Sequence, residues 1–276
     1  MTGYAYYNGK VGHSDDINIP LTDRLIYFGD GVYDVIIGHN KKLFMQDEHL
    51  DRFMSNMTAL HFPHCYNKLD LYEIIRNMIE LCGYDSYIVY LSASRNANER
   101  IHSYLSSDKI NLLVTISRFC FSDKNSLKLI SEEDRRYCYC NIKTTNLLPA
   151  VLYSSLAEKS GCDEAVLVRD GVITECAHSN IFMLKNETLF THPISNVILP
   201  GITRKLLIDE AIKMGIRVKE TTFDLNRLMS ADEIIVSSTT KLIKNTLSVD
   251  NIPVGGKGEE IFLELQYRIK NAYDTL

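Results

Sequence analysis

The sequence has no long apolar run and no block of like charge, and these absences exclude two classes of protein. No apolar run approaches the ~18 to 20 residues that a membrane-spanning helix needs, and the opening MTGYAYYNGKVGHSDD has neither the basic start nor the apolar stretch of a signal peptide. With a formal net charge of -5 and a pI of about 5.9, the chain offers no basic surface to nucleic acid or membranes. We therefore expect a cytoplasmic protein whose partners are small molecules.

The CxxC spacing of cysteines is also lacking. The chain has seven cysteines, which is an odd number, and no two of them form a CxxC pair. This spacing predicts reduced thiols, and neither a disulfide framework nor a metal site. The cysteines are Cys65, Cys82, Cys120, Cys138, Cys140, Cys162 and Cys176.

The length and composition indicate two domains. With 276 residues, 45% of them hydrophobic and 24% charged, the chain can bury a full core in each. Short strands and helices alternate without an internal repeat, and the stretch FCFSDKNS at 119–126 loses its periodic apolar positions. We predict an N-terminal domain over residues 1–119, a linker over 120–126 and a C-terminal domain over 127–276.

Local patterns predict the elements of the N-terminal domain. Residues 34–45 should form a hairpin turning at Gly38-His39-Asn40, and Asp47 should cap a helix with regularly spaced apolar positions. Gly83 should end the helix that follows. The other predicted strands cover residues 4–8, 87–91 and 110–117.

The C-terminal domain is predicted in the same way. Pro149 fits the first turn of a helix that stops at Gly161. Residues 166–175 and 181–190 are expected to form hairpin strands that turn at Asp170-Gly171 and at Asn186. Further helices are predicted over 203–214 and 258–273, with a strand over 233–237.

Lys143 and Glu175 are the first candidates for chemistry. A lysine can attack an aldehyde only as a neutral amine, which a desolvated pocket favours, and Lys143 lies between an apolar strand and an apolar helix start. Glu175 ends a predicted strand, and an acid can hold a pyridinium nitrogen protonated. Taken singly, Lys143 could also be a strand-end lysine in solvent, and Glu175 the exposed end of a hairpin strand.

Several other residues suit the binding of anions. Thr203 opens a helix behind Gly201, so its backbone N–H groups form a plausible anion site, and the hydroxyls of 237–240 could add donors. Arg52 is either a solvated arginine or a bidentate ligand for a phosphate. In the segment SRNANERIHSY, Arg100 and His102 could take a carboxylate.

These pieces occur together in a family order. The segments DRLIYFGDGVYDVI, EHLDRF, IKTTNLLPAVL, GVITECAHSNIF, LPGITRKLL and VSSTT run over essentially the whole chain. With them the chain resembles the fold-type IV pyridoxal-phosphate enzymes, which include D-amino-acid aminotransferases, branched-chain aminotransferases and aminodeoxychorismate lyases. The resemblance implies a mixed α+β and α/β fold, with a small N-terminal α/β domain and a larger, cofactor-binding C-terminal β-barrel-like domain with flanking helices. It also implies a homodimer with shared active sites.

The resemblance carries roles over to single residues. Lys143 becomes the Schiff-base lysine and general acid/base, and Glu175 the partner of the pyridine nitrogen of pyridoxal 5'-phosphate. Tyr33, Arg100 and His102 become substrate-binding residues, the last two contributed from the neighbouring subunit. The remaining cofactor-binding residues are Arg52, Leu199, Ile202, Thr203, Ser238 and Thr239.

Within the family, the pair Arg100 and His102 favours transamination of a D-amino acid, such as D-alanine, with 2-oxoglutarate as acceptor. Cys176 and His178 depart from the small residues that aminotransferases often have after the acid, and a cysteine there is similar to some aminodeoxychorismate lyases. Three alternatives stay open: a lyase that forms 4-aminobenzoate and pyruvate, a branched-chain L-amino-acid aminotransferase, and a non-catalytic binding protein on the same scaffold.

Overall fold

The structure of the chain, a computed structural model, describes residues 3–96, 100–104 and 109–276. Its backbone contacts divide the chain into two compact units. The first consists of Met1–Cys120, Ile142–Asn146 and Leu276, and the second of Phe121–Asn141 and Leu147–Thr275. Residues 142–146 thus belong with the first unit, although they lie far beyond it in the sequence. Whether two domains with the boundaries 1–119 and 127–276 fold independently stays a prediction.

The first unit is an antiparallel sheet covered by helices. Its strands follow the order β2-β1-β6-β5-β3-β4, and every neighbouring pair is antiparallel. They are β1 (Tyr4–Tyr7), β2 (Lys10–His13), β3 (Gly31–His39), β4 (Lys42–Leu43), β5 (Ser86–Arg95) and β6 (Ile110–Arg118). The helices are α1 (Arg24–Phe28), α2 (Gln46–Ala59) and α3 (Lys68–Cys82), with a single 3-10 turn at Ser14–Asp16.

The core of this unit lies between the sheet and helix α2. Leu50, Phe53 and Met57 stand three and four residues apart on α2, so they share one helix face and are fully or almost fully buried. They belong to one apolar cluster with the buried side of β3 and β5. This packing fixes α2 against β3 and so sets where the polar residues of both elements point.

Two local predictions in this unit are wrong. Asp47 does not cap α2, because the helix begins at Gln46 behind Met45, which has a left-handed backbone (φ 50°); the Asp47 carboxylate instead accepts from Tyr72 and Lys68. Gly38 lies inside β3 rather than in the hairpin turn, since it pairs with Leu43 of β4. It is a glycine because the Tyr87 ring packs so closely that a Cβ would overlap it. The turn itself lies at residues 40–41. The predicted helix end at Gly83 is confirmed, with φ 61°.

The second unit is built on a mixed sheet. The strands follow the order β12-β11-β10-β13-β14-β7-β8-β9, and β15 pairs with β14. The sheet curls toward closure, as a hydrogen bond between its two edges shows. The Ile173 amide in β9 donates to the carbonyl of Phe223, which follows β12 at the opposite edge (2.9 Å). The strands are β7 (Ser126–Glu133), β8 (Glu164–Arg169), β9 (Val172–Cys176), β10 (Asn180–Lys185), β11 (Thr188–Thr191), β12 (Arg217–Glu220), β13 (Glu233–Ser238), β14 (Leu242–Val249) and β15 (Ile252–Pro253).

The helices of the second unit are α4 (Leu148–Lys159), α5 (Ile202–Lys213), α6 (Leu225–Met229) and α7 (Glu259–Asp274). Pro149 occupies the first turn of α4, as predicted. Strands β7, β12, β14 and β15 and helix α6 were not anticipated from the sequence. None of the helices in the described part of the chain has the length and apolar content that a membrane crossing needs.

We expect Phe53→Ala to lower the free energy of unfolding by about 3 to 5 kcal/mol, because the truncated ring leaves a cavity in the fully buried face of α2. Leu69→Ala is the matched control: Leu69 is 74% exposed on α3, so its loss should change stability by less than about 0.5 kcal/mol. Urea unfolding of both variants measures the difference, and equal midpoints would show that α2 is not a core helix.

Candidate active site

Glu175, near the end of β9, is a buried carboxylate with three donors. It accepts hydrogen bonds from Arg136 Nη1 (2.5 Å), Asn180 Nδ2 (2.9 Å) and the Leu199 backbone N–H (3.1 Å). Glu175 is only 5% exposed, so it is not the solvent-exposed end of a hairpin strand. The carboxylate is therefore held in one orientation by groups from three different segments of the second unit.

The electrostatics of Glu175 suit a group that shares a proton near neutral pH. Burial raises the pKa of Glu175 to about 7, and the Arg136 guanidinium only partly offsets this. Burial acts to lower the pKa of Arg136, but Asp134 and Glu175 together raise it above its usual range, so Arg136 stays charged. Arg136 also binds Asp134 through two parallel bonds of 2.9 Å, which leaves its third nitrogen for Glu175.

Asn180 joins the parts of the candidate site in the second unit. Its side-chain amide donates to Glu175 and also to the Leu199 carbonyl (both 2.9 Å). Across the β10–β13 pair, Asn180 lies opposite Ser237. A Cβ at position 201 would overlap Asn180 Oδ1, so only glycine allows the start of α5 to approach this closely. One side chain thus brings Glu175, Leu199, Gly201 and the end of β13 together.

The start of α5 and the end of β13 offer donors for an anion. Helix α5 begins at Ile202, and its N-cap Gly201 makes no side-chain cap, so the amides of Ile202 and Thr203 have no partner within the helix. Ser238 Oγ is buried and, among the described residues, has no hydrogen-bond partner. A buried hydroxyl without a partner is costly, and the phosphate of a cofactor would satisfy it. Thr239 follows directly, so the segment predicted to bind phosphate has the chemistry for it.

Lys143 and Tyr33 are brought together in the first unit. Residues 142–146 lie against β3: the Tyr33 amide donates to the Lys143 carbonyl (2.9 Å), and Thr144 forms an isolated bridge with Val32. Lys143 Nζ lies 4.4 Å from the centroid of the Tyr33 ring, which stacks on Tyr90. Two residues that are 110 positions apart thus share one place, and the backbone of β3 holds both of them.

Arg52 is also fixed in the first unit, by residues that the sequence did not single out. Its Nε and Nη2 bind both oxygens of Asp34 (2.9 and 2.8 Å), and His49 Nδ1 lies 2.7 Å from the same carboxylate. Burial alone would raise the pKa of Asp34, but Arg52 and His49 hold it well below its usual range, while burial lowers the pKa of His49. The arginine is not solvated, since its side chain is only 8% exposed. The sequence did contain a signal for this cluster: Asp34 is an acid within an apolar strand, and His49 and Arg52 stand three residues apart on one helix.

The structure places Arg100 and His102 on a loop of the first unit. The Arg100 guanidinium lies 6.0 Å from the Tyr27 ring centroid and 5.6 Å from that of Phe28, and the His102 ring lies 5.1 Å from Phe28. Both residues are exposed. They are therefore available to an incoming ligand, while the backbone carbonyls of Ile101 and His102 accept hydrogen bonds from Arg24.

Cys176 and His178, the two departures from the family pattern, have structural partners. Cys176 is completely buried in the core of the second unit, and burial raises the pKa of its thiol well above the usual value. His178 Nδ1 lies 2.8 Å from Glu164, a buried acid that Lys241 also pairs. The cysteine therefore acts as a small core residue, and it gives no support to a lyase.

We expect the cofactor-free protein to lose stability as the pH rises from 4.5 to 7, because in this window folded Glu175 keeps a proton that the unfolded chain has released. Glu175→Gln removes this titration. Over the same pH window, the free energy of unfolding of the variant should fall by about 3 kcal/mol less than that of the wild type. Urea unfolding near about pH 5 and about pH 8 measures the two slopes, with the exposed Glu187→Gln as control. Identical slopes in wild type and Glu175→Gln would contradict the raised pKa.

Comparison with known proteins identifies the family of the chain. A family model described as amino-transferase class IV matches residues 31–247. The D-alanine aminotransferase of Listeria monocytogenes serotype 1/2a (strain 10403S) is 34% identical over 271 residues, covering 95% of this chain and 94% of the relative.

Two solved structures share the fold. The branched-chain amino acid aminotransferase from Escherichia coli superposes with a TM-score of 0.90 at 23% identity, covering 99% of this chain and 95% of that chain. A putative 4-amino-4-deoxychorismate lyase from Legionella pneumophila gives a TM-score of 0.86 at 23% identity, with 94% and 97% covered.

The fold class expected from the sequence is confirmed by these neighbours, and so is the resemblance. The match of the family model spans most of the chain, and the relative is similar from end to end. Enzymes of this family use pyridoxal phosphate. The chain belongs to the class IV aminotransferases and is a pyridoxal-phosphate-dependent aminotransferase of fold type IV.

Proposed function

We propose that this aminotransferase moves the amino group of a D-amino acid, D-alanine first among them, to a 2-oxo acid such as 2-oxoglutarate. The observation that carries the proposal is the end-to-end similarity to D-alanine aminotransferases, which extends over 95% of the chain. The structural neighbour named as a branched-chain aminotransferase is only 23% identical in sequence, so its similarity supports the fold and not the substrate. A two-step, ping-pong exchange follows, because one amino acid must leave as an oxo acid before the acceptor enters.

We propose further that the residues identified by the family resemblance bind pyridoxal 5'-phosphate. Lys143 would hold it covalently, Glu175 would face its ring nitrogen, and Leu199 would pack against its ring. Arg52, the backbone at Ile202 and Thr203, and the hydroxyls and amides of Ser238 and Thr239 would bind its phosphate. The buried, unpartnered Ser238 hydroxyl and the open first turn of α5 support this assignment.

The chemistry divides among these residues. When bound, pyridoxal phosphate supplies an electron sink that acidifies the α-carbon of the attached amino acid. Lys143 Nζ, which lies beside the Tyr33 ring, would take the α-proton and return it on the other side of the amino nitrogen, at the cofactor carbon to which that nitrogen is attached. Glu175 would keep a proton at the ring nitrogen, and its pKa of about 7 lets it share that proton at neutral pH. Asp34 would hold Arg52 in its bidentate geometry.

The substrate would be held by its carboxylate. Arg100 offers a charged fork and His102 an imidazole on one exposed loop, and both types of group bind carboxylates. We propose that this loop serves the site of a partner subunit, with Tyr33 on the substrate side of Lys143. The similarity to D-alanine aminotransferases favours a D-amino acid as the substrate. The cytoplasmic location expected from the sequence stays a prediction.

A homodimer is supported by an apolar helix face. Helix α4 presents Leu148, Val151 and Leu152 to solvent in a single chain, each of them more than half exposed. Large apolar side chains clustered on one surface are typical of subunit interfaces. We propose that a second copy of this chain covers them.

The proposal is tested by the absorption spectrum of the protein reconstituted with pyridoxal phosphate. D-alanine should remove the visible band of the lysine-bound cofactor and yield one pyruvate per site, and 2-oxoglutarate should restore the band. L-alanine and L-leucine should leave it unchanged. A band lost with an L-amino acid alone would favour the branched-chain reaction, and pyruvate from aminodeoxychorismate without an acceptor would favour the lyase.

We expect Lys143→Ala to abolish turnover and the visible band together, because no other amine would replace Lys143 as covalent anchor and proton carrier. Lys159→Ala, at the exposed end of α4, is the matched control and should keep both. Circular dichroism checks that each variant is folded. Turnover that survives in Lys143→Ala would remove this lysine from the mechanism.

We expect Leu152→Glu to convert a wild-type dimer into monomers, because a carboxylate buried in an apolar interface has no partner there. Lys159→Glu changes the charge of the same helix at its exposed end and should leave the dimer intact. Sedimentation velocity distinguishes the two states. Should wild-type protein itself sediment as a monomer with full activity, a shared site is excluded.

A further inference from the structure

Arg24 uses its guanidinium to hold the backbone of the loop that bears Arg100 and His102. Its Nη1 donates to the Ile101 carbonyl (2.5 Å) and its Nη2 to the His102 carbonyl (3.0 Å). Its Nε donates to Asp30 (2.7 Å). The side chain is only 6% exposed, although it reaches a loop whose own side chains are exposed. A buried arginine with this bonding acts as a bridge from α1 to two successive peptide groups.

An aromatic ring completes this bridge. The Arg24 guanidinium lies 4.6 Å from the centroid of the Phe28 ring, one helical turn further along α1. The same ring lies 5.1 Å from the His102 ring and 5.6 Å from the Arg100 guanidinium. Phe28 is half-buried, and its ring contacts Arg24 as well as the two loop side chains.

The anchor of Arg24 is itself rigid. Asp30 also accepts from Arg95 Nε (3.1 Å), and Arg95 is almost fully buried. The other two nitrogens of Arg95 donate to the carbonyls of Leu60 and His61, which directly follow the end of α2. Asp30 therefore lies between two buried arginines, and Arg24 cannot shift without breaking a buried ion pair.

We propose that Arg24 is a positioning residue for substrate recognition, which orients Arg100 and His102 toward the α-carboxylate of the amino acid. This inference rests on the proposed function of those two residues. A planar guanidinium that binds the carbonyls of residues 101 and 102 at once fixes the two peptide planes that flank His102, and with them the direction in which the His102 side chain leaves the backbone. Arg100 is held through the Phe28 ring, which also contacts Arg24. A lysine at position 24 keeps the charge but is a point donor, so it can hold only one of the planes well.

The test is Arg24→Lys in the holoenzyme. KM for D-alanine should rise about tenfold with a smaller change in kcat, since the carboxylate-binding groups are misplaced while Lys143 is not. Hydroxylamine also reacts with the lysine-bound cofactor but has no carboxylate, so its rate should stay unchanged. Arg76→Lys, on the exposed face of α3, is the matched control and should keep both values. An unchanged KM, or an equal loss with both reagents, would overturn the proposal.

Phe28→Leu provides a second variant if Arg24→Lys does not fold. It removes the ring between Arg24 and His102 without emptying the core, because Phe28 is half-buried. The same selective rise of KM is expected, and an unchanged KM in this variant would again overturn the proposal.

Tryptic cleavage after Arg100 separates this inference from the proposed function. If Arg24 holds the loop, Arg24→Lys should be cut faster than wild type at this bond, whatever the substrate is. An Arg100→Ala variant with unchanged KM for D-alanine would refute the role of Arg100 in the proposed function. Equal cleavage rates in wild type and Arg24→Lys would instead refute the positioning role of Arg24.

Discussion

A carboxylate taken out of water must meet cations or hydrogen-bond donors, and this constraint organises both units. Asp34 and Glu164 are completely buried, while Asp134 and Glu175 are nearly so. Each is paired with a cation from another segment or from a neighbouring turn. Breaking any of these pairs would leave a charge stranded in an apolar interior. The segments that carry the partners are therefore bound to one another more tightly than apolar packing alone would require.

The charged groups of the candidate site already have partners that orient them. Arg52 is already oriented by Asp34, and Glu175 is already held by Arg136 and Asn180. Catalysis by charged groups gains most when they do not have to reorganise as the reaction proceeds. Buried Arg24 likewise binds the backbone of the loop that carries Arg100 and His102 and leaves both side chains exposed.

Much of this was readable in the sequence, and what was not has a physical reason. Gly83 and Pro149 mark helix ends because their backbone preferences are local. The prediction for Asp47 was wrong because the N-cap of α2 is Met45, which has a left-handed backbone. A methionine side chain gives no sequence signal for that conformation. Arg136 was missed because its partner Glu175 lies 39 residues away. Family motifs predicted the reactive residues, but only the folded chain shows which groups contact them.

The close approach of Gly201 to Asn180 links two positions that mutation would otherwise sample separately. Any side chain at 201 would overlap the amide at 180, whereas a shorter residue at 180 would open room but release Glu175 and Leu199. Each position therefore sets the space or the hydrogen bonds on which the other depends, and we expect the effects of substitutions at 180 and 201 on stability to be non-additive.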